Sequence, residues 1–84
     1  MNNKKKIIEK CKKIFSNIMK IPEKKILDNT SDNNLNSWDS LSHVQLISSL
    51  EKNFKIKISP AESLDDCNTF KEIYNLISRK LNIK

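Results

Sequence analysis

The 84-residue chain contains no glycine. Glycine-rich phosphate loops and dinucleotide-binding fingerprints need residues without a Cβ, so both are excluded. Two-residue hairpins lose their usual turn residue as well, which argues against an all-β architecture. Cysteine occurs twice and histidine once. Cys11 and Cys67 stand far apart, outside any Cys-x-x-Cys or Cys/His grouping, so a structural zinc site is not expected and no metal ligand set is assigned. No apolar run is long enough to span a bilayer. Glu9, Lys10, Lys12 and Lys13 interrupt what would be the apolar core of a signal peptide. The expectation is a cytoplasmic protein with reduced thiols, each cysteine serving as a small buried apolar residue.

What is present is a low hydrophobic fraction, 37%, beside 31% charged residues. That balance suits one small helical domain over residues 1–84, in which each helix buries a single stripe. Ile7, Ile8, Cys11, Ile14, Phe15 and Ile18 recur at helical spacing and predict a first helix that stops before Pro22. From there to Trp38 the chain is rich in Asn, Asp and Ser. It reads as a long loop with Ile21, Ile26, Leu27 and Leu35 as anchors, longer than is usual without a functional reason. Asp39 caps a second helix with Leu41, Val44, Ile47 and Leu50 as its stripe, fading near Asn53. Phe54, Ile56 and Ile58 then tuck into the core. Ser59-Pro60-Ala61-Glu62 has cap, first-turn proline and glutamate in place for a short third helix. Thr69-Phe70-Lys71-Glu72 is a second capping box. It opens a last helix with Phe70, Ile73, Ile77 and Leu81 as its stripe, widened by Tyr74 and Leu76.

The segment from Trp38-Asp39-Ser40-Leu41 to Phe54 resembles the acyl carrier protein family. There, Asp-Ser-Leu opens an amphipathic helix after a long loop, apolar residues follow at positions matching Leu41, Val44, Leu46, Ile47 and Leu50, and a phenylalanine matches Phe54. The resemblance implies an all-α, small four-helix bundle of acyl-carrier type, with three principal helices, one short helix and a long first loop. It implies that Ser40 carries a covalent 4′-phosphopantetheine arm drawn from coenzyme A, on which acyl groups ride as thioesters. It implies no catalytic residues and no metal. The implied partners are a phosphopantetheinyl transferase, an acyl-loading ligase, and acyltransferase or synthase enzymes such as those of fatty acid biosynthesis. The carrier itself is expected to be free-standing and monomeric. Ser40 would point outward while Leu41 anchors the turn inside the bundle.

The chain departs from the family pattern in two ways. Asn36-Ser37-Trp38 stands where most carriers place a glycine, which is similar to carriers outside bulk fatty-acid synthesis. Trp38 reads either as a staple packing onto His43 or as a contact felt by partner enzymes. His43 reads as a surface or staple residue, since no second catalytic group accompanies it. Charge is the second departure. Residues 1–25 hold nine lysines against two glutamates, a net +7, residues 26–72 carry −4, and the tail with Arg79, Lys80 and Lys84 adds +3. The half containing Ser40 is thus acidic within a chain of net +6. The second helix is almost bare of charge, so partner recognition is expected to lean on Glu62, Asp65 and Asp66.

An aminoacyl or peptidyl carrier is the nearest alternative, with the same arm and another cargo. A small basic helical nucleic-acid-binding protein is the alternative of another class. Against it, the lysines of the first helix fill the wet face of an amphipathic stripe, arginine occurs once, and no aromatic residues interleave with them. No nucleic-acid partner is expected.

Overall fold

A computed structural model describes residues 3–82; Lys84, counted above in the basic tail, lies outside them. Four α-helices follow in order: α1 (Asn3–Met19), α2 (Ser40–Phe54), α3 (Pro60–Asp65) and α4 (Phe70–Lys80). A single 3-10 turn, Glu23–Lys25, interrupts the loop between α1 and α2. The architecture is the all-α bundle with one short helix. Among the described residues, extended pairing is limited to an isolated bridge between Ser31 and Thr69.

Each long helix buries one face because its apolar residues return every three or four positions. In α1, Ile7, Cys11, Phe15 and Met19 lie four apart and are all buried. In α4, Phe70, Ile73, Tyr74, Leu76 and Ile77 fill the corresponding face. Helix α2 contributes Leu46 and Leu50, with Ile47 and Phe54 packed at the margin. The expected stripe of α2 is corrected here. Leu41 is 67% exposed and Val44 62% exposed. At 100° per residue, Leu41 lies about 180° around the helix from Leu50, and Val44 about 200° from Leu46. A stripe read at steps of three drifted off the face that steps of four keep buried.

Phe15 stands at the centre of the core. Its ring meets Trp38 edge-on at 5.2 Å and Phe70 at 5.5 Å, and Phe70 meets Tyr74 at 5.4 Å. Both cysteines are buried and free, and burial pushes their thiols up to about 12, so they remain neutral. At the margin, Lys10 bridges α1 to α2 by donating to the Asn53 carbonyl at 3.3 Å, with its ammonium over the Phe54 ring.

Helix ends reveal how a glycine-free chain makes left-handed closures. Lys20 (φ 59°) closes α1 and Lys55 (φ 56°) closes α2. In each case two successive amides return to one carbonyl: Lys20 and Ile21 to Ser16, Lys55 and Ile56 to Glu51. The N-termini of α2, α3 and α4 are capped by side chains. Asp39 accepts from the Ser42 amide, and Ser59 and Glu62 form a reciprocal box. Thr69 accepts from the Glu72 amide, but the Glu72 carboxylate reaches the Asn68 amide rather than that of Thr69, so the second box is shifted by one residue.

Two outcomes follow. Because Cβ disfavours the left-handed region, Lys55→Gly should stabilise the fold by roughly 1 kcal/mol in urea denaturation, after the entropy glycine adds to the unfolded chain. The second concerns acid. The Ser42 amide hydrogen bond holds the Asp39 carboxyl below its ordinary value, and the Lys80 hydrogen bond does the same for Glu62. A lowered folded value means stability that is complete above the ordinary carboxylate range and lost as pH falls through the lowered values. Far-UV circular dichroism should therefore show a shallower acid loss of helicity in an Asp39→Asn/Glu62→Gln variant than in the wild type.

Candidate functional site

The loop that delivers the start of α2 is polar, yet it is tied at both ends. Leu27 donates to Thr30 Oγ1 at 2.9 Å, and Ser31 donates to Asn34 Oδ1 at 2.9 Å, so short side chains close local turns. The loop carbonyls of Thr30 and Asp28 accept the Phe70 and Lys71 amides, each at 3.0 Å. These are first-turn amides with no carbonyl to reach inside α4. The Tyr74 hydroxyl donates to Asp28 at 2.9 Å, sewing the loop to α4; burial, then this bond, raises the Tyr74 phenol above its ordinary value. Ile26 is buried, and Ile21 and Leu35 pack against the core. Leu27, expected as an anchor, is exposed instead, because the turn it makes with Thr30 seats Thr30 inward.

The loop ends when Trp38 enters the core, where it is 5% exposed. Its neighbour Asp39 caps α2, and Ser40 is the first helical residue, exposed to solvent. Asp39 Oδ1 takes the Ser42 amide at 2.9 Å and the Asp39 carbonyl takes the His43 amide at 2.8 Å. The amides of Ser40 and Leu41 have no carbonyl to reach within the helix, so the positive end of α2 is presented beside an accessible hydroxyl.

His43 lies one turn further on, facing inward. The Trp38 indole N–H donates to His43 Nδ1 at 2.9 Å, with the rings stacked at 6.0 Å. An indole nitrogen is a donor only, so Nδ1 is the acceptor and the ring proton sits on Nε2. That nitrogen is 3.0 Å from both the carbonyl and the hydroxyl oxygen of Ser63 on α3. A groove of about 670 Å³ opens here between the starts of α2 and α3, lined among others by Ser40, His43, Val44, Ser63, Leu64 and Cys67. Leu64 is 72% exposed, so Leu41, Val44 and Leu64 leave apolar surface around Ser40.

The remaining residues picked out above separate into two groups. Asp65 is exposed and Asp66 half-buried at the end of α3. Glu62 is committed within the chain: one oxygen accepts the Ser59 amide and pairs with Lys80 at 2.9 Å. The pairing helps hold α3 on α4. Trp38 is too buried to be a broad contact surface; only its edge reaches the groove. Leu41 sits at the surface and anchors nothing inside. Ser63 and Leu64 escaped sequence reading. Leu64 gave a weak signal as an apolar residue on a helix too short to bury it, and Ser63 gave none, because its partner lies twenty positions away. None of the lysines of α1 lines the groove. Among the described residues there is no cluster of side chains able to hold a metal ion, and no helix is long and apolar enough to cross a membrane.

Comparison with known proteins agrees with this geometry. A family model described as a phosphopantetheine attachment site matches residues 9–77. The chain is 41% identical over 80 residues to an acyl carrier protein of Buchnera aphidicola subsp. Schizaphis graminum (strain Sg), covering 95% of this chain and 96% of that protein. Its fold is similar to the solution NMR structure of a holo acyl carrier protein from Geobacter metallireducens, with a TM-score of 0.80 at 30% identity, over 98% of this chain and 88% of that one. A match through most of the helical core, joined to relatives of matching extent and fold, places the chain in the acyl carrier protein family, whose members bear phosphopantetheine and act as carriers rather than enzymes.

Proposed function

We propose that Ser40 is the residue that bears 4′-phosphopantetheine, and that the chain presents the attached cargo to partner enzymes in a specialised acyl pathway of the cytoplasm. The carrying observation is the exposed hydroxyl at the first residue of a capped helix, next to the groove. The residues fit the group. The Asp39 carboxylate is held chiefly by the Ser42 amide, with help from that of Leu41, so the Ser40 amide is left to hold a phosphate at the positive helix end. Once attached, the arm supplies a terminal thiol that holds cargo as a thioester. The chain's own residues do the rest. Asp39 fixes where the helix starts, Trp38 fixes its position on the core, and Leu41, Val44 and Leu64 offer apolar surface for a transferase or acyl-handling enzyme to cover. Charge on α2 is confined to Glu51 and Lys52 near its end, so generic electrostatic steering along this helix is weak, which is the basis for a specialised partner set.

Incubation with coenzyme A and a broad-specificity phosphopantetheinyl transferase should add one phosphopantetheine increment in intact-protein mass spectrometry. Ser40→Ala should abolish it, and no increment with several transferases would falsify the assignment. Steering by α3 is tested with Asp65→Asn/Asp66→Asn, leaving Glu62 in place for its cap. Transfer to the variant should be slower by roughly three- to tenfold at low salt and depend less on ionic strength. Superimposable salt curves for variant and wild type would rule out docking through these acids.

A further inference from the structure

Helix α3 contributes no buried residue to the core. A six-residue helix without an apolar foothold of its own cannot be held by its propensity; buried Ile58 and Cys67 fix the chain on either side, and polar ties must set how the helix between them sits. Two reach it from other helices: the Glu62–Lys80 ion pair at 2.9 Å, and the contact of His43 Nε2 with both oxygens of Ser63 at 3.0 Å. The first is partly exposed and screened by solvent. The second is part-buried and belongs to a chain that runs from Trp38 through the imidazole to α3.

That chain works with one protonation state. Trp38 Nε1 can only donate, so His43 Nδ1 must carry a lone pair. A proton added to Nδ1 would set two N–H donors against each other at 2.9 Å. The indole has little access to water to replace the lost acceptor, since Trp38 is buried. The imidazolium must then turn away, which removes the donor from Ser63. We propose that α3 is a lid latched by His43, and that proton uptake by this imidazole releases it and widens the groove beside Ser40.

The titratable groups on the groove wall around His43 are Asp32 and Asp39 from the loop and Cys67 beyond α3. Helix α2 adds no other titratable residue to this wall, and Glu62 on α3 is directed to Ser59 and Lys80. The Asp39 carboxyl, held below its ordinary value, and the Cys67 thiol, pushed up to about 12, keep one charge state across about pH 5 to 8, where histidines ordinarily titrate. The latch is a property of the polypeptide and does not depend on Ser40 being modified.

Trp38 is the sole tryptophan, so its fluorescence reports the latch directly. On lowering the pH across that range, the wild-type emission should shift to the red. Amide hydrogens of residues 61–66 should exchange about tenfold faster or more, relative to the pH-corrected intrinsic rate, as expected for loss of one part-buried hydrogen bond. His43→Gln offers an acceptor and donors but cannot titrate, so both signals should lose their pH dependence. His43→Ala should give the released signals at all pH values; if that variant fails to fold, the glutamine comparison still decides. The same pH response in wild type and His43→Gln, or a wild type with no response in either signal, would overturn the proposal.

Discussion

The burial of Trp38 is the constraint on which the rest of the structure depends. The indole closes a long polar loop by packing edge-on against Phe15 while its N–H finds His43. Both halves of that arrangement are needed, since a buried indole without an acceptor would be left with an unpaired donor. Phe15 carries the contact on to Phe70 and Tyr74, and Tyr74 returns to the loop through Asp28. The loop is thereby held from inside by rings and from outside by the phenolic hydrogen bond together with two backbone bonds to α4. Since Asp39 directly follows Trp38, the position of the indole also sets where α2 begins and where the Ser40 hydroxyl emerges.

Polar residues take on work that glycine and apolar residues do elsewhere. Lysines close α1 and α2 in the left-handed region, and short Asn, Ser and Thr side chains build the loop turns. Loop carbonyls take the first two amides of α4, so the loop and the last helix satisfy each other's backbone. Glu62 shows how one residue can be drawn two ways. Its charge belongs to the acidic half that reads as a docking surface, yet its carboxylate caps α3 and pairs with Lys80.

The Ser40 end of the molecule combines rigidity with exposure. Ser40 rides on a helix seated by Leu46 and Leu50, while Leu41, Val44 and Leu64 remain at the surface nearby. Burying those three would have enlarged a thin core, but it would have closed the apolar surface beside Ser40 that is proposed to meet partner enzymes. The basic excess of the chain lies chiefly on α1, and none of its lysines lines the groove, so the net charge of +6 describes the site poorly.

Much of this was legible in the residue order, because it depends on local chemistry. Three- and four-residue spacing located the helices, Pro22 bounded the first, and Asp39, Ser59 and Thr69 marked the caps of the others. Asp-Ser-Leu after a polar loop located the candidate attachment site, and the absence of glycine removed whole classes of fold. What tertiary structure alone decided involves residues distant in sequence. Which face of α2 is buried depends on where α1 and α4 stand, so Leu41 and Val44 could not be placed from spacing that fits two faces almost equally well. Whether Glu62 is free depends on Lys80, eighteen positions on, and the role of His43 depends on Ser63, twenty positions on. Periodicity records what a helix does to itself, whereas a contact between helices exists only once the core has fixed their distance and rotation.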